Sequence, residues 1–547
     1  MKKYVLIAAA MMAVMPMAAQ ETYENARLLQ DDLNGTARYV GMGGAMEALG
    51  ADISTIGTNP AGLGLFRHST INGSFGIVAQ ASAPSFAQGT KTNVSFDQIG
   101  FVWASKNGRN SYLNFGFNFK KNKNFDYILA AAGNLGGRAS QNALSFLKLI
   151  GADDPVTGET TFNFKNGHGT DIWTTQLDNL YYNHLNVDNQ GVFGYSFANN
   201  YLLNREESGY IGEYNFNISG NINDRVFLGM TFGLKDVHYK GIATYTEDLV
   251  SGESVYPAGN VITDDERRVT GSGFDIKAGI IVRPVAESPF RIGAYVHTPT
   301  WYSLTTKNYT KMYNNTNPHV DGYNEHFIQS NAYDFKLFTP WKFGFSLGHT
   351  VGNYLAIGAT YEYADYSSTD TRVNDGGYYE TWYDWYGPYT EYYQSSYSDR
   401  EMNSHTQKTL KGVSTVKVGL EYKPAPDLAV RAGYNYVSAM YNSDGEKDGT
   451  LDSYGTNYAS ATDWVNWKST NRFTFGIGYN IDKLSLDLAY QYSAQKGDFT
   501  PFLGGSGDVH YADPTGQIQT HHIDNYAPST EVKNDRHQVL FTIGYHF

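Results

Sequence analysis

Apolar and polar residues alternate in many short segments of this chain. In the final segment, 538–547, one face is apolar or aromatic and the other is mostly polar or small. Successive side chains of a β-strand point to opposite faces, so this alternation predicts a strand with one apolar face. A single such segment fits an ordinary half-buried strand equally well. The same alternation, however, recurs at residues 355–363, 428–436, 473–481 and 484–492.

Tyrosines gather at one end of several of these apolar faces. They are Tyr361, Tyr363, Tyr434, Tyr436, Tyr490 and Tyr492. Transmembrane barrels carry such an aromatic girdle at the membrane interface, whereas soluble sandwiches rarely place rings at the same end of strand after strand. The chain also ends on Phe547, and a C-terminal aromatic residue resembles the signal that the barrel-assembly machinery reads. Together these features predict a transmembrane β-barrel.

The connections between the alternating segments predict the topology. Short turn sequences lie at 107–110, 221–224, 351–353, 424–427 and 480–483. Long polar connections lie at 81–94, 122–210, 241–268, 305–335, 367–405, 442–470 and 497–533. Short periplasmic turns and long external loops are typical of outer-membrane barrels. The sequence therefore predicts an all-β fold, a transmembrane antiparallel β-barrel of about fourteen strands with both chain ends at the periplasmic side.

Composition narrows the class of protein. The 547 residues include no cysteine and 44 tyrosines, and the mean hydropathy of -0.43 is too low for a helical membrane protein. The absence of cysteine excludes a disulfide framework and thiolate metal sites. The formal net charge of -13 argues against binding of nucleic acid, because no basic stripe is present to neutralise phosphates.

The first twenty residues have the composition of a secretory signal peptide. Two lysines at positions 2 and 3 precede an apolar run at 4–15, which is followed by Pro16 and the small residues Ala18 and Ala19. We therefore expect cleavage of residues 1–20 during export. Export and barrel strands together predict a monomer in the outer membrane of a Gram-negative cell, in contact with outer-membrane lipid and lipopolysaccharide.

Residues 21–66 do not have the pattern of a barrel wall. This segment is apolar and rich in glycine, with Gly41, Gly43 and Gly44 close together. A barrel of fourteen strands has a lumen too wide for wall side chains to fill. We predict that residues 21–66 form a plug, or hatch, inside the barrel that residues 67–547 build. A periplasmic tail is the alternative.

Asn59, Pro60, Ala61 and Gly62 within residues 52–63 resemble the N-terminal hatch of the FadL/TodX family of outer-membrane transporters. Further similarity to that family lies at 271–275, 291–294 and 339–344. The resemblance implies a plugged fourteen-stranded barrel for long-chain fatty acids or aromatic hydrocarbons. In that family such ligands are caught by external loops, held behind the hatch and released sideways at a kink in the third strand, and the resemblance implies the same route for this chain. The predicted third strand, 111–121, contains no proline and only Gly116 as a kink candidate, which departs from the family.

Two stretches in the loop after the third strand have helical apolar stripes. The stripes consist of Leu144, Leu147 and Ile150, and of Trp173, Leu177, Leu180 and Tyr181. One hypothesis is that they form a hydrophobic entry groove that binds the ligand. The alternative is that the helices simply pack on each other and cap the barrel.

A second loop, 377–397, is unusually rich in tyrosine and tryptophan and includes Trp382, Trp385 and Tyr386. Exposed rings at this density usually mark recognition. An extended hairpin whose rings pack on neighbouring loops fits equally well.

Sequence motifs give little support for catalysis or for a metal or other cofactor. The chain contains no His-Glu-x-x-His, P-loop or Gly-x-Ser-x-Gly motif. The main hypothesis is therefore a non-enzymatic channel for passive uptake of hydrophobic small molecules. A non-transporting barrel that acts as a partner in protein secretion or assembly is the first alternative, and an outer-membrane lipid hydrolase is the second.

Overall fold

In the computed structural model the chain forms a closed antiparallel β-barrel with fourteen strands around its circumference. The structure describes residues 21–80, 83, 91–149, 151–153, 160–162, 175–186, 194–250, 259–316, 326–384, 387–448, 451, 453, 461–512 and 518–547. The whole length of the first strand pairs with the last strand, from Thr70 opposite His546 to Ala79 opposite His537. The predicted fold class and strand number are thereby confirmed. The predicted signal peptide, 1–20, lies outside the described residues.

The helical elements in the described residues are short. They are α1 (Thr22–Ala26), α2 (Ala37–Gly41), two 3-10 helices (Ile53–Gly57 and Pro60–Leu65), α3 (Gln141–Leu149), α4 (Gln176–Tyr181) with a π-helical turn (Tyr182–Asn186), a 3-10 turn (Tyr366–Ser368) and α5 (Arg400–Thr409). None of the described helices is long and apolar enough to cross a membrane.

The strands of the described residues follow in chain order. They are β1 (Thr70–Ala79), β2 (Thr92–Lys106), β3 (Tyr112–Asn124), β4 (Tyr127–Ala139), β5 (Gly151–Asp153), β6 (Thr160–Phe162), β7 (Ala198–Ile222), β8 (Val226–Leu249), β9 (Gly259–Val282), β10 (Arg291–His297), β11 (Trp301–Asn315), β12 (His326–Phe338), β13 (Lys342–Val351), β14 (Leu355–Asp365), β15 (Asp370–Asp384), β16 (Gly387–Ser398), β17 (Gly412–Tyr422), β18 (Leu428–Val437), β19 (Trp464–Ile481), β20 (Leu484–Thr500), β21 (Gly505–Ala512), β22 (Ile518–Asn525) and β23 (Thr530–His546).

Strands β1, β2, β3, β7, β8, β9, β10, β13, β14, β17, β18, β19, β20 and β23 form the closed wall. The others extend the wall beyond one end or form small hairpins there. We call that end the loop end. The opposite end, where short turns connect the strands and Phe547 donates its backbone N–H to Ser69, is the turn end.

The outward face of the wall is an apolar belt. Its exposed members include Ile71, Phe101, Phe216, Leu228, Phe274, Phe345, Ile357, Val418, Phe475, Leu488 and Ile543. On the last strand, Val539 and Ile543 are exposed whereas Leu540 and Thr542 between them are buried, so the predicted alternation is confirmed. Exposed tyrosines border the belt on both sides, with Tyr361, Tyr363 and Tyr490 toward the loop end and Tyr422, Tyr479 and Tyr545 beside the turns.

The predicted short turns are confirmed, and an additional connection of residues 283–290 joins β9 to β10. The predicted long loops are shorter in the structure, because the strands extend into them. Strands β8 and β9 stay paired until Leu249 lies opposite Gly259, and much of 367–405 is the hairpin of β15 and β16. Beyond the apolar belt the strands carry polar residues on their outer face, so the alternation that marks a strand is lost there.

The third strand differs from its prediction. It does not end near residue 121 but continues through β3 and β4, both of which pair with β7. It is interrupted at Phe125 and Asp126, where the Asn124 side chain accepts the Asp126 backbone N–H at 2.9 Å. Its pairing with β2 ends where Gln98 meets Lys120. An asparagine side chain thus binds the backbone at the break, whereas Gly116, the predicted kink candidate, lies in regular pairing within β3.

Candidate functional site

The N-terminal segment, 21–66, contacts inward-facing residues of strands on all sides of the barrel. The Ala37 backbone N–H donates to Thr542 of β23 at 2.7 Å, and Arg38 binds Glu421 of β17 at 2.9 Å. On the far side, Asn59 donates to the Ile280 carbonyl of β9 at 3.4 Å. Most side chains of the segment are buried. Residues 37–59 of the segment thus contact opposite sides of the wall near the turn end, and their action as a plug stays a prediction.

Side-chain caps explain its local conformation. Thr36 accepts the Tyr39 backbone N–H and begins α2. Asp52 accepts the Ser54 N–H, and Asn59 accepts the Ala61 N–H with Pro60 at the first helical position. Asparagine and proline suit these places because a short polar side chain satisfies an orphan backbone donor and proline needs none. The family-like Asn59-Pro60-Ala61 motif is thus a helix start, and Asn59 also donates to the Glu47 carbonyl at 3.0 Å.

A row of glycines in the wall lets the hatch backbone lie directly on the strands. Gly348, Gly358, Gly419 and Gly433 are neighbours in register on β13, β14, β17 and β18. A Cβ atom at Gly419 would lie 2.9 Å from the Met42 carbonyl carbon, and one at Gly358 would lie 3.1 Å from that of Ala45. We call these four residues the glycine row. Any side chain there would occupy the space of hatch residues 42–48.

The lumen around and above the hatch is charged. Glu47 of the hatch accepts hydrogen bonds from Lys417 at 2.9 Å and from Thr360 at 2.8 Å. Lys277 of β9 contacts Glu213 at 2.5 Å and Asp275 at 2.6 Å. Buried ion pairs are costly to form and costly to break, so the Lys417–Glu47 pair, which joins the wall to residue 47, favours one position of the hatch.

A cavity of about 180 Å³ lies on the loop-end side of hatch residues 37–66 and is lined in part by hatch residues 23–34. Its apolar lining residues include Val78, which lies outside the apolar clusters, and residues that belong to or pack against two buried apolar clusters: Phe125, Tyr127, Leu129, Met440, Tyr441, Trp464, Val465 and Trp467. Its charged lining residues include Arg27, Asp31, Asp32, Lys123, Arg205, Glu207, Arg472 and Arg536. Lys123 donates to the Gln30 carbonyl at 3.0 Å, and Arg472 donates to the Asn435 amide oxygen at 2.9 Å. Both cations therefore have neutral oxygens as their hydrogen-bond acceptors.

The start of the described chain closes this cavity toward the loop end. Tyr23 of α1 stacks on Tyr441 with ring centroids 5.3 Å apart and donates to Asn466 at 2.8 Å. Thr22 lies 2.8 Å from His405 of α5. Little in the local sequence pattern indicates α1 or the cavity residues, because their neighbours come from remote strands. The only available signal was the aromatic pair Trp464 and Trp467 at the start of β19.

The predicted groove residues are buried in the loop end. Leu144, Leu147, Leu177, Leu180 and Tyr181 all belong to one apolar cluster, whereas Ile150 and Trp173 lie outside the described residues. The Lys148 ammonium group bridges α3 to Asp178 of α4 at 2.8 Å. The two helices thus pack on each other, as the alternative interpretation expects. Ligand binding by these residues stays a prediction.

Glu247 fixes the first turn of α3 to the wall. One carboxylate oxygen accepts the Gln141 backbone N–H at 2.7 Å and the Tyr245 hydroxyl at 2.8 Å. Glu247 lies near the end of β8, well beyond the apolar belt. Burial raises the pKa of Glu247 to about 7, because a charged carboxylate loses its hydration in this apolar surrounding.

The aromatic loop is a hairpin of β15 and β16 that projects from the loop end. Trp382, Tyr389 and Tyr397 are 45–47% exposed, so these rings do not pack inward. Trp385 and Tyr386 lie outside the described residues. Recognition by this hairpin stays a prediction.

Comparisons with known proteins give matches among solved structures. The Ralstonia pickettii toluene transporter TbuX is 12% identical, with 94% of this chain and 99% of that chain covered and a TM-score of 0.45. A Pseudomonas aeruginosa FadL homologue is 12% identical, with coverages of 97% and 99% and a TM-score of 0.47. The Pseudomonas putida toluene transporter TodX is 11% identical, with coverages of 95% and 99% and a TM-score of 0.43. The family that the hatch motif resembles is thus found among these structures. Neither a family model nor a curated protein matches the sequence.

Proposed function

We propose that the chain is an outer-membrane channel for passive uptake of hydrophobic or amphipathic small molecules. The apolar belt with tyrosines at both borders supports a position in a bilayer. An outward apolar face of this extent is unfavourable in water, whereas the hydrocarbon core of a membrane solvates it. The short turns then face the periplasm and the loop end faces outward. Membrane lipid, lipopolysaccharide and the barrel-assembly machinery are the partners this position implies.

The observation that carries the proposal is the mixed lining of the cavity above the hatch. Trp464, Trp467 and Leu129 offer apolar contact, and each buried methylene stabilises a bound chain by roughly 0.8 kcal/mol. Lys123 and Arg472, whose acceptors are neutral, suit a carboxylate head group. A long-chain fatty acid satisfies both requirements, and an aromatic hydrocarbon satisfies the first.

Uptake requires two obstacles to move. Within residues 21–66, α1 separates the cavity from the loop end through Tyr23, and residues 37–66 separate it from the turn end. We expect a ligand to replace the Tyr23–Tyr441 stacking, since it offers equivalent apolar contact. Exit occurs either beneath the displaced hatch or sideways at the break of the third strand beside Asp126.

Transport into proteoliposomes tests the proposal. Leu129→Ser removes apolar lining from the cavity, and Leu202→Ser makes the same change at an exposed site of β7. We expect Leu129→Ser to slow uptake of a labelled fatty acid several-fold, with Leu202→Ser and permeation of small sugars unchanged. Heat-modifiable mobility on gels verifies that both variants are folded. Equal rates for Leu129→Ser and the unaltered protein would contradict the proposal.

A non-transporting barrel that acts as a secretion or assembly partner is the second candidate. The solid apolar core around α3 and α4 and the exposed rings of the β15–β16 hairpin favour it, because both suit a closed barrel with an external contact surface. Uptake by the unaltered protein no faster than by empty liposomes would make this candidate the better one.

A further inference from the structure

A second cavity, of about 470 Å³, lies beneath the hatch at the turn end. We call it the vestibule. Leu49 of the hatch and Phe227 of β8 contribute buried apolar wall. Four basic residues of its lining are Arg67, Arg283, Arg291 and Lys423. The vestibule therefore joins an apolar surface to a concentration of positive charge.

The carboxylates that line the vestibule are already engaged. Asp224 is 2.6 Å from Arg67, and Glu421 is shared between Arg38 at 2.9 Å and Arg431 at 2.6 Å. Among the residues that the structure describes, none supplies a carboxylate to Arg283, Arg291 or Lys423. These three side chains leave the vestibule with a net positive charge.

Two of the cations are held in position by backbone carbonyls. Arg283 donates from Nε to the Ser288 carbonyl at 2.7 Å, and Arg291 donates from Nη1 to the Leu49 carbonyl at 2.9 Å. The Arg291 Nε is buried and has no hydrogen-bond partner among the described residues. An unsatisfied buried donor of a charged group is costly, and a bound anion would remove that cost.

We propose that the vestibule is a binding site for an amphipathic anion, with its carboxylate or phosphate on Arg291 and Lys423 and its alkyl chain against Leu49 and Phe227. Carboxylate and phosphate share this chemistry, since both are planar or tripodal oxygen acceptors that guanidinium groups bind well. The anion comes either from a ligand that has passed the hatch or from a membrane lipid. Only the first source rests on the proposed uptake function.

Photolabelling tests the site in the full-length protein. The protein is placed in phosphatidylcholine nanodiscs, and the probe is dodecanoate with a photoreactive diazirine at the end of its chain. We expect peptides that contain Leu49 or Phe227 to be labelled. Dodecanoate should compete with the probe and dodecanol should not, because dodecanol lacks the charge.

Substitutions identify the anion contact. Arg291→Gln with Lys423→Gln should reduce labelling about tenfold, the effect of losing a charge-assisted hydrogen bond of ~1.4 kcal/mol. Lys423→Gln alone, on an exposed turn, should reduce it to a smaller extent and leaves the hatch contact of Arg291 intact. Lys483→Gln is the matched control, because Lys483 lies in another turn outside the vestibule.

The outcomes separate this site from the proposed function. Labelling confined to the upper cavity or the loops, or equal labelling in all variants, would overturn the vestibule site. If phosphatidylglycerol in the nanodisc suppresses vestibule labelling, the natural anion is a lipid. If vestibule labelling persists in the presence of phosphatidylglycerol, the anion is a released ligand. Vestibule labelling in a protein that transports nothing would leave the site standing and remove the uptake function.

Discussion

Filling the glycine row should loosen the hatch. The substitutions are Gly358→Ala and Gly419→Ala together. Neither glycine has a positive φ, so alanine fits the backbone and the only change is the added methyl group. The methyl group at position 419 would lie 2.9 Å from the Met42 carbonyl carbon, and the one at position 358 would lie 3.1 Å from the Ala45 carbonyl carbon. The carbonyl oxygens of these residues lie closer still.

The size of the effect follows from these distances. Ordinary contacts of a Cβ atom begin near 3.4 Å, so the hatch backbone must move by roughly 1 Å to relieve both overlaps. Overpacking of this kind costs about 1–3 kcal/mol per site. The two costs do not add fully, because both methyl groups press on the same segment, 42–45. Even ~1.4 kcal/mol raises the population of a displaced hatch about tenfold.

Cysteine labelling measures this change without background, since the chain has no cysteine. Ala61→Cys is introduced into both proteins and its reaction with a bulky hydrophilic maleimide is timed. We expect labelling about tenfold faster in the Gly358→Ala/Gly419→Ala protein. Gly73→Ala with Gly220→Ala is the control, because a Cβ at either position meets nothing within 4 Å. A correctly folded double variant that labels at the control rate would refute the packing argument.

Three further predictions concern other parts of the molecule. Ala61→Cys in the otherwise unaltered protein should react more slowly than Asn353→Cys at a turn, and equal rates would contradict a luminal hatch. Deletion of Phe547 should impair barrel assembly, which the amount of heat-modifiable protein in the outer membrane measures; normal amounts would contradict its role as an assembly signal. The raised pKa of Glu247 means that the folded state holds a proton that the unfolded state releases. The free energy of unfolding should therefore fall as pH rises from about 4.5 through about 7. The thermal midpoint of the Glu247→Gln variant should not decline over this pH range. Parallel pH profiles of the variant and the unaltered protein would exclude Glu247 as the source of the decline.

Much of the barrel could be predicted from the sequence because lipid and water impose a local rule. Side chains alternate across a strand, so a wall with lipid on one side must alternate in sequence. Val539 and Ile543 against Leu540 and Thr542 show this directly. Where the strands leave the apolar belt the rule no longer applies, and the outer parts of β8 and β9 were accordingly predicted as loop.

The cavities and the glycine row depended on tertiary structure. Gly358, Gly419 and Gly433 are far apart in the chain and become one row only through the register of β14, β17 and β18. The same holds for the vestibule, where Arg291 becomes a candidate ligand contact because Leu49 of the hatch orients it. The sequence alone determined the apolar belt and the turns, since each depends on neighbours within a few residues. Closure of the barrel decided which cations of the vestibule have a carboxylate partner among the described residues and where the hatch backbone touches the glycine row. Those contacts join residues that only the completed wall brings together.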